Sequence, residues 1–446
     1  MEDQKTLEVF RSAPVPQAVL KNAIPAMAVS LLMLIYNLAD TFFIGQTHND
    51  ILVAAITMAT QVFLLFMTAG TVFGIGGTSV ISRALGKGRT EYAKKVCSFC
   101  MWCCVGVGIV LAILFLAFMD QILMLLGASA DTWEPAKIYL TILAFSGPFT
   151  MIANAFCNII RAEGQAMKAM TGQVIGNLLN IILDPILIVG FNWGIAGAAI
   201  ATVIGNVVSA CYYMIYFVRG KSVLSIRPRD FMAKDQVCSS VLAIGIPASL
   251  GSLLLTVAHI LVNRQMTGYG DLAVAAVGVA MRVTMISAML CIGFGQGIQP
   301  VLGYCVGAKM WDRFKKVMRT SLLYSFILSA ALTGICYLFT GQIVQAFLTE
   351  PAAIGYSMTF TRILLSTSFF FGMFYVFTNS IQAMGAASAA LVINISRQGI
   401  IYIPLLFLFQ ALFGMNGLVW AQPMADTLSM ALVIILYFRE QRTRQP

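Results

Sequence analysis

Long apolar runs separated by short polar stretches set the pattern of this 446-residue chain. Runs near 20–44, 53–81, 96–119, 136–160, 169–190 and 195–218 are each long enough to cross a hydrocarbon core about 30 Å thick. Six more follow near 241–263, 273–304, 317–340, 355–383, 388–410 and 416–438. They are continuously apolar and do not alternate over short segments, which predicts helices and not a β-barrel. The expected fold is all-α and integral to the membrane, with twelve transmembrane helices.

The pattern is written twice. Ile24-Pro25-Ala26 returns 222 residues on as Ile246-Pro247-Ala248, and Gly86 with Lys94-Lys95-Val96 returns after 221 as Gly307 with Lys315-Lys316-Val317. Asn158-Ile159-Ile160-Arg161-Ala162-Glu163-Gly164 returns as Asn379-Ser380-Ile381-Gln382-Ala383-Met384-Gly385, and Gly194 with Gly197 returns as Gly414 with Gly417. Matches in one order mean duplication. The expected domains are a lobe over 1–218, a basic linker over 219–240 and a second lobe over 241–446. Six helices is an even number, so the two lobes run parallel, related by a pseudo-two-fold axis along the membrane normal, and a substrate site is expected where they meet.

Charge adds the orientation. Most of the 28 Lys and Arg fall in the loops around 83–95, 161–168, 219–234 and 309–319 and in the two tails, with Arg264 alone in the opposite loops. Basic residues concentrate on cytoplasmic loops, so the chain is expected in the cytoplasmic membrane as a multi-pass protein with both termini in the cytoplasm. The net charge of +10 is then topology, and no nucleic-acid partner is needed to explain it. With 59% hydrophobic residues, 10% charged and a mean hydropathy of +0.86, a soluble core is excluded. The first 18 residues are polar, carry Pro14 and Pro16, and do not read as a signal peptide.

Against this background a few polar residues stand out. Tyr36 and Asp40 on the first helix, and Asn180 and Asp184 on the fifth, are each four apart and so share a helical face; the sixth adds Thr202. An ionisable group at membrane depth costs roughly 2.5 to 3.5 kcal/mol and marks an ion or substrate path by default. Asp40 lies a few residues from the turn around Gln46 to Asp50, where headgroups could simply solvate it, whereas Asp184 is flanked by Ile181, Ile182, Leu183, Ile186 and Leu187. Carboxylates, an amide oxygen and a hydroxyl are hard ligands suited to a proton or Na⁺.

The stretches Tyr36-Asn37-Leu38-Ala39-Asp40, Asn177-Leu178-Leu179-Asn180-Ile181-Ile182-Leu183-Asp184-Pro185, and Thr202 after Gly194-Ile195-Ala196-Gly197 give the chain a family likeness. It resembles a multidrug and toxic compound extrusion (MATE) transporter, of the bacterial and archaeal kind with a cation site in the N-terminal lobe. The resemblance spans all twelve helices and the linker. It implies export of organic cations in exchange for H⁺ or Na⁺ by alternating access. It further implies a cation site of Asp40, Asn180, Asp184 and Thr202, with Tyr36, Asn37 and Tyr139 beside it, and no cofactor beyond the coupling ion. The second lobe departs from other members. Its first five spans hold no acidic residue, Gln296 stands where some relatives carry a carboxylate, and Asp426 is the acidic candidate that remains.

Substrate contacts are less legible. The 25 Met, 30 Phe and 14 Tyr suit flat hydrophobic cations, although most such residues pack helices or face lipid. His259, Asn263, Gln296, Arg282 and Arg397 are polar residues of the second lobe that could line a cleft or tie helices together. Cys97, Cys100, Cys103 and Cys104 lie in an apolar helix and read as small buried thiols, not as a metal site. Gly74-Ile75-Gly76-Gly77 lacks the lysine of a phosphate loop, and with Gly70 it reads as close helix packing. A lipid-linked saccharide flippase is the alternative, but it calls for a strongly basic cavity. An enzyme is disfavoured by two histidines with no paired nucleophile. One chain carries both lobes, so a monomer is expected.

Overall fold

Apolar segments of this length satisfy their backbone groups in lipid by forming helices, and the computed structural model consists of them. It describes residues 8–45, 50–220, 222–234 and 236–445, apart from the side chains at 37, 38, 40–42, 44, 45, 50, 53 and 57. The first repeat runs α1 (Val15–Gly45), α2 (Asp50–Gly86), α3 (Thr90–Ala117), α4 (Met119–Leu125), α5 (Ala130–Phe145), α6 (Gly147–Ala162), α7 (Ala166–Pro185) and α8 (Gly194–Val218). The second runs α9 (Val237–Met266), α10 (Asp271–Gly307), α11 (Trp311–Leu338), α12 (Thr340–Phe347), α13 (Pro351–Leu365), α14 (Phe371–Met384), α15 (Ala387–Ile395) and α16 (Tyr402–Arg444). No strand occurs among the described residues.

Ten helical stretches among the described residues are long and apolar enough to span, or eleven when α5 and α6, bent by 57° at Ser146, count as one. The last stretch, Ala387–Arg444, is 58 residues long, nearly twice what one crossing needs. It breaks at Gly414, whose φ of 61° and ψ of −139° no helix contains. Taken as two passes, it brings the number to the twelve expected. Large apolar side chains stand exposed along the outer faces, as Val110 and Ile113 do on α3, the surface lipid requires.

Duplication extends to the backbone. Both α2 and α10 have 37 residues, and both α3 and α11 have 28. Positive φ recurs at Gly164 and Gly385 and at Gly194 and Gly414. After α2 the turn is made by Gly88 at φ 70°, and after α10 the matching turn is made by Lys309 at φ 57°. A side chain in the left-handed region costs roughly 1 to 2 kcal/mol. Gly88→Ala is therefore expected to lower thermal stability by about 1 kcal/mol and Lys309→Gly to lower it not at all, as scanning fluorimetry of the purified variants would read.

The chain divides into two compact units, Met1–Ala13 with Ala28–Gly245 and Pro14–Met27 with Ile246–Pro446. The division differs from the boundaries at 218 and 241 because each repeat's leading segment packs in the other unit. Val237–Gly245 lies against α2: a Cβ on Gly76 would collide with the Val241 carbonyl, and one on Gly245 would lie 2.7 Å from the Val72 carbonyl carbon. In the second unit a Cβ on Gly297 would come within 2.6 Å of the Asn22 carbonyl oxygen. Both exchanged segments end within two residues of Pro25 or Pro247, which lie inside α1 and α9. A proline inside a helix removes a hydrogen bond and allows a bend there. The connection at 219–236 carries one 3₁₀ turn, Pro228–Asp230. It is docked on α3, where the Ser98 hydroxyl donates to the Arg227 carbonyl at 2.7 Å and the Trp102 indole to the Ile226 carbonyl at 3.2 Å.

Candidate ion and substrate site

The polar centre of the first unit rests on the packing of α7 and α8. Gly172 and Gly176 put bare backbone on one face of α7, where a Cβ on Gly176 would collide with Ser209 Oγ and lie 2.5 Å from the Gly205 carbonyl. With the helices this close, the Ser209 hydroxyl donates to the Gly172 carbonyl at 3.0 Å and the Tyr213 hydroxyl to the Ala169 carbonyl at 2.7 Å. Continued one turn along each helix, the same seam sets Thr202 of α8 against Asn180 of α7, whose Nδ2 donates to Thr202 Oγ1 at 3.3 Å. Asn180 is 2% exposed and Thr202 4%. The other amide oxygen, Asn180 Oδ1, is buried and accepts no hydrogen bond among the described residues. A buried acceptor left unmet costs roughly 1 to 3 kcal/mol, and a cation or a proton donor would remove that cost.

Asp184 follows Asn180 by one turn and is fully buried. Pro185 then ends the regular helix, and the chain makes a π turn over Ile186–Gly190. Proline cannot donate to the preceding turn, and π turns inside helices are frequent at functional sites. Gly197 of α8 lies against this turn, where a Cβ would stand 2.8 Å from the Leu187 carbonyl. Tyr139 of α5 is 4% exposed, in an apolar cluster with Ile188, Ile195, Ala198 and Ala199.

Tyr36 is half-buried on α1, and the side chains of Asp40 and Asn37 lie outside the described residues, although α1 carries their backbone. Gln296 is half-buried on α10, and His259 and Asn263 are exposed one turn apart on α9. These three belong to the second unit. Among the described residues there is no cluster of three or more His, Cys, Asp or Glu able to hold a metal ion, and all ten cysteines are free. The seam of Gly70 and Gly74 is close helix packing, with Cβ positions 3.0 Å from the Met151 carbonyl oxygen and the Ala155 Cα of α6.

The second unit has a polar centre that the sequence reading did not assemble. Arg397 Nε donates to Asp426 Oδ1 at 2.9 Å, Arg397 Nη1 donates to the Tyr375 hydroxyl at 3.0 Å, and Gln422 Nε2 donates to Asp426 Oδ1 at 3.1 Å. The signal was available: Arg397 and Asp426 are the two charged residues between 387 and 438, one on each of the last two passes. Opposite charges alone in neighbouring passes pair to avoid lone burial.

Long apolar passes in two repeats, with buried polar centres set among them in both units, are the architecture of a membrane transporter. The MatE family model matches residues 25–186 and again 247–408. The multidrug export protein MepA of Staphylococcus aureus is 30% identical over 443 residues, covering 99% of this chain and 98% of its own. Among solved structures, an outward-facing multidrug resistance MATE family transporter of the MOP superfamily superposes with a TM-score of 0.92 at 23% identity, over 99% of this chain and 98% of that one. A MOP superfamily transporter from Pyrococcus furiosus gives 0.91 at 23% identity over the same shares. The chain belongs to the MatE family.

Proposed function

We propose that the protein exports organic cations, drugs among them, across the cytoplasmic membrane in exchange for H⁺ or Na⁺. The carrying observation is the Asn180–Thr202 pair beside buried Asp184, with Asn180 Oδ1 accepting no hydrogen bond among the described residues. In this reading Asp40, Asn180, Asp184 and Thr202 take the coupling ion, with Tyr36, Asn37 and Tyr139 beside them. His259, Asn263 and Gln296 serve the substrate from the second lobe. The assignment of 1–218 and 241–446 as lobes about the 219–240 linker, with both termini cytoplasmic and a monomeric working unit, belongs to the same proposal. Relatives named for multidrug export support it.

The physics is competition. With its carboxylates ionised the first lobe attracts a cation, and with H⁺ or Na⁺ bound it does not, so ion and drug favour different states of one protein. A proton entering down roughly 180 mV releases about 4 kcal/mol, enough for a substrate gradient of about a thousandfold. The test is efflux of a fluorescent organic cation from vesicles holding the purified protein, with a pH gradient or a Na⁺ gradient imposed separately. Flux that follows one gradient supports the antiporter and names its ion. Absence of flux under both would turn attention to a lipid-linked saccharide, scored by a flipping assay.

A further inference from the structure

Arg397 sits in the π turn Ser396–Ile400 that follows α15, with its guanidinium over the rings of Phe371, Phe374 and Tyr375 at 5.3, 4.6 and 5.5 Å. Its side chain is 12% exposed and that of its partner Asp426 is 6%. The duplication shows what has been added. At the repeat spacing of 221, Arg397 falls on Gly176, where the first unit has no room for a side chain against Ser209 and Gly205. At the spacing of 220 that holds after Gly414, Asp426 falls on Asn206 and Gln422 on Thr202. At these places the first unit has the buried Thr202 hydroxyl, the half-buried Asn206 amide and no cation. The second supplies a buried carboxylate together with its own cation.

We propose that Arg397 is a tethered cation permanently filling the carboxylate site of the second lobe, so that Asp426 remains ionised throughout transport and takes up neither H⁺ nor Na⁺. The proposal rests on the coupling role given above to the first lobe. A guanidinium does not release its proton in proteins, and the aromatic faces hold it in place by cation–π attraction. A lone buried carboxylate would instead neutralise itself by binding a proton. The groups facing Asp426 are Arg397 from the π turn, Tyr375 of α14 through that guanidinium, and Gln422 of α16, a helix that also carries the buried Tyr402. Arg362 of α13 turns instead to the Tyr337 ring at 5.7 Å, and α15 carries no titratable residue.

Arg397 and Asp426 thus act on stoichiometry without touching the coupling ion. The test is an infrared pH titration of the full-length protein in nanodiscs, following the C=O stretch of protonated carboxyl groups across the neutral range. Asp426→Asn is expected to remove no band from the wild-type titration and to leave the bound radioactive Na⁺ per protein unchanged. Arg397→Gln is expected to gain a band of about one titrating carboxyl per chain, which the added Asp426→Asn abolishes and which Arg397→Lys, keeping the charge, does not show. A band in the wild type that Asp426→Asn removes, or no new band in folded Arg397→Gln, overturns the proposal. If Arg397→Gln does not fold, Asp426→Asn and Arg397→Lys still decide it. Failure of the first-lobe reading shows up elsewhere, as unchanged gradient-driven flux in Asp184→Asn.

Discussion

Asp184→Asn is expected to reduce gradient-driven efflux of an organic cation by about tenfold or more, a change of about 1.4 kcal/mol or greater in the coupled step. The amide keeps the shape and one oxygen acceptor, and it removes the group able to alternate between charged and neutral. Asp184 is fully buried one turn from Asn180, so no solvent shell substitutes for its ionisation. Asn180→Leu isolates the other half of the site, because it deletes the amide oxygen that accepts no hydrogen bond among the described residues, and with it the bond to Thr202. That variant is expected to need a steeper ion gradient for the same flux while still binding a fluorescent cation, as fluorescence anisotropy would record. Wild-type rates in Asp184→Asn, with equal protein in the vesicles, would remove the first-lobe site from the mechanism.

The passes were legible because hydropathy reports which segments avoid water, and lipid demands helices of them. It does not report direction. The 57° bend at Ser146 and the break at Gly414 fall inside apolar runs, and α4 and α12 are too short to register against a spanning window. The exchange of Pro14–Met27 and Val237–Gly245 between units was equally hidden, since it depends on which bare backbone each helix meets. Helical spacing put Asn180 and Asp184 on one face, but the partnership of Asn180 with Thr202 spans 22 residues and depends on the glycine seam beneath it. Arg397 and Asp426 were each visible as a charge in an apolar pass. Their pairing needed the π turn Ser396–Ile400, a local change of helical register that no apolar periodicity marks.

Gly76→Val and Gly245→Val are each expected to destabilise the folded protein by about 3 kcal/mol or more, the range of overpacked cores that cannot yield. Most glycines in membrane helices can take an alanine where lipid or a flexible side chain lies beyond. These two cannot, because the obstacle at each is the main chain of the facing helix: Val241 for Gly76 and Val72 for Gly245. Moving either backbone would part α2 from the leading segment of α9, which meets the first unit along this seam. Gly297→Val tests the corresponding seam in the second unit, where the Asn22 carbonyl and the Ala23 Cα stand 2.6 and 2.7 Å from the added Cβ. Gly106 and Gly334 have nothing within 4 Å and serve as controls; alanine there is expected to leave the melting temperature in detergent unchanged or raised, since alanine favours helix by up to about 1 kcal/mol. Equal melting temperatures for the seam and control variants would mean that the exchanged segments are not fixed in the folded state. Should the seam variants melt early yet retain residual flux, the exchanged segments hold the fold together without gating transport, and the bends allowed by Pro25 and Pro247 would then have to be tested separately, by Pro→Ala at each.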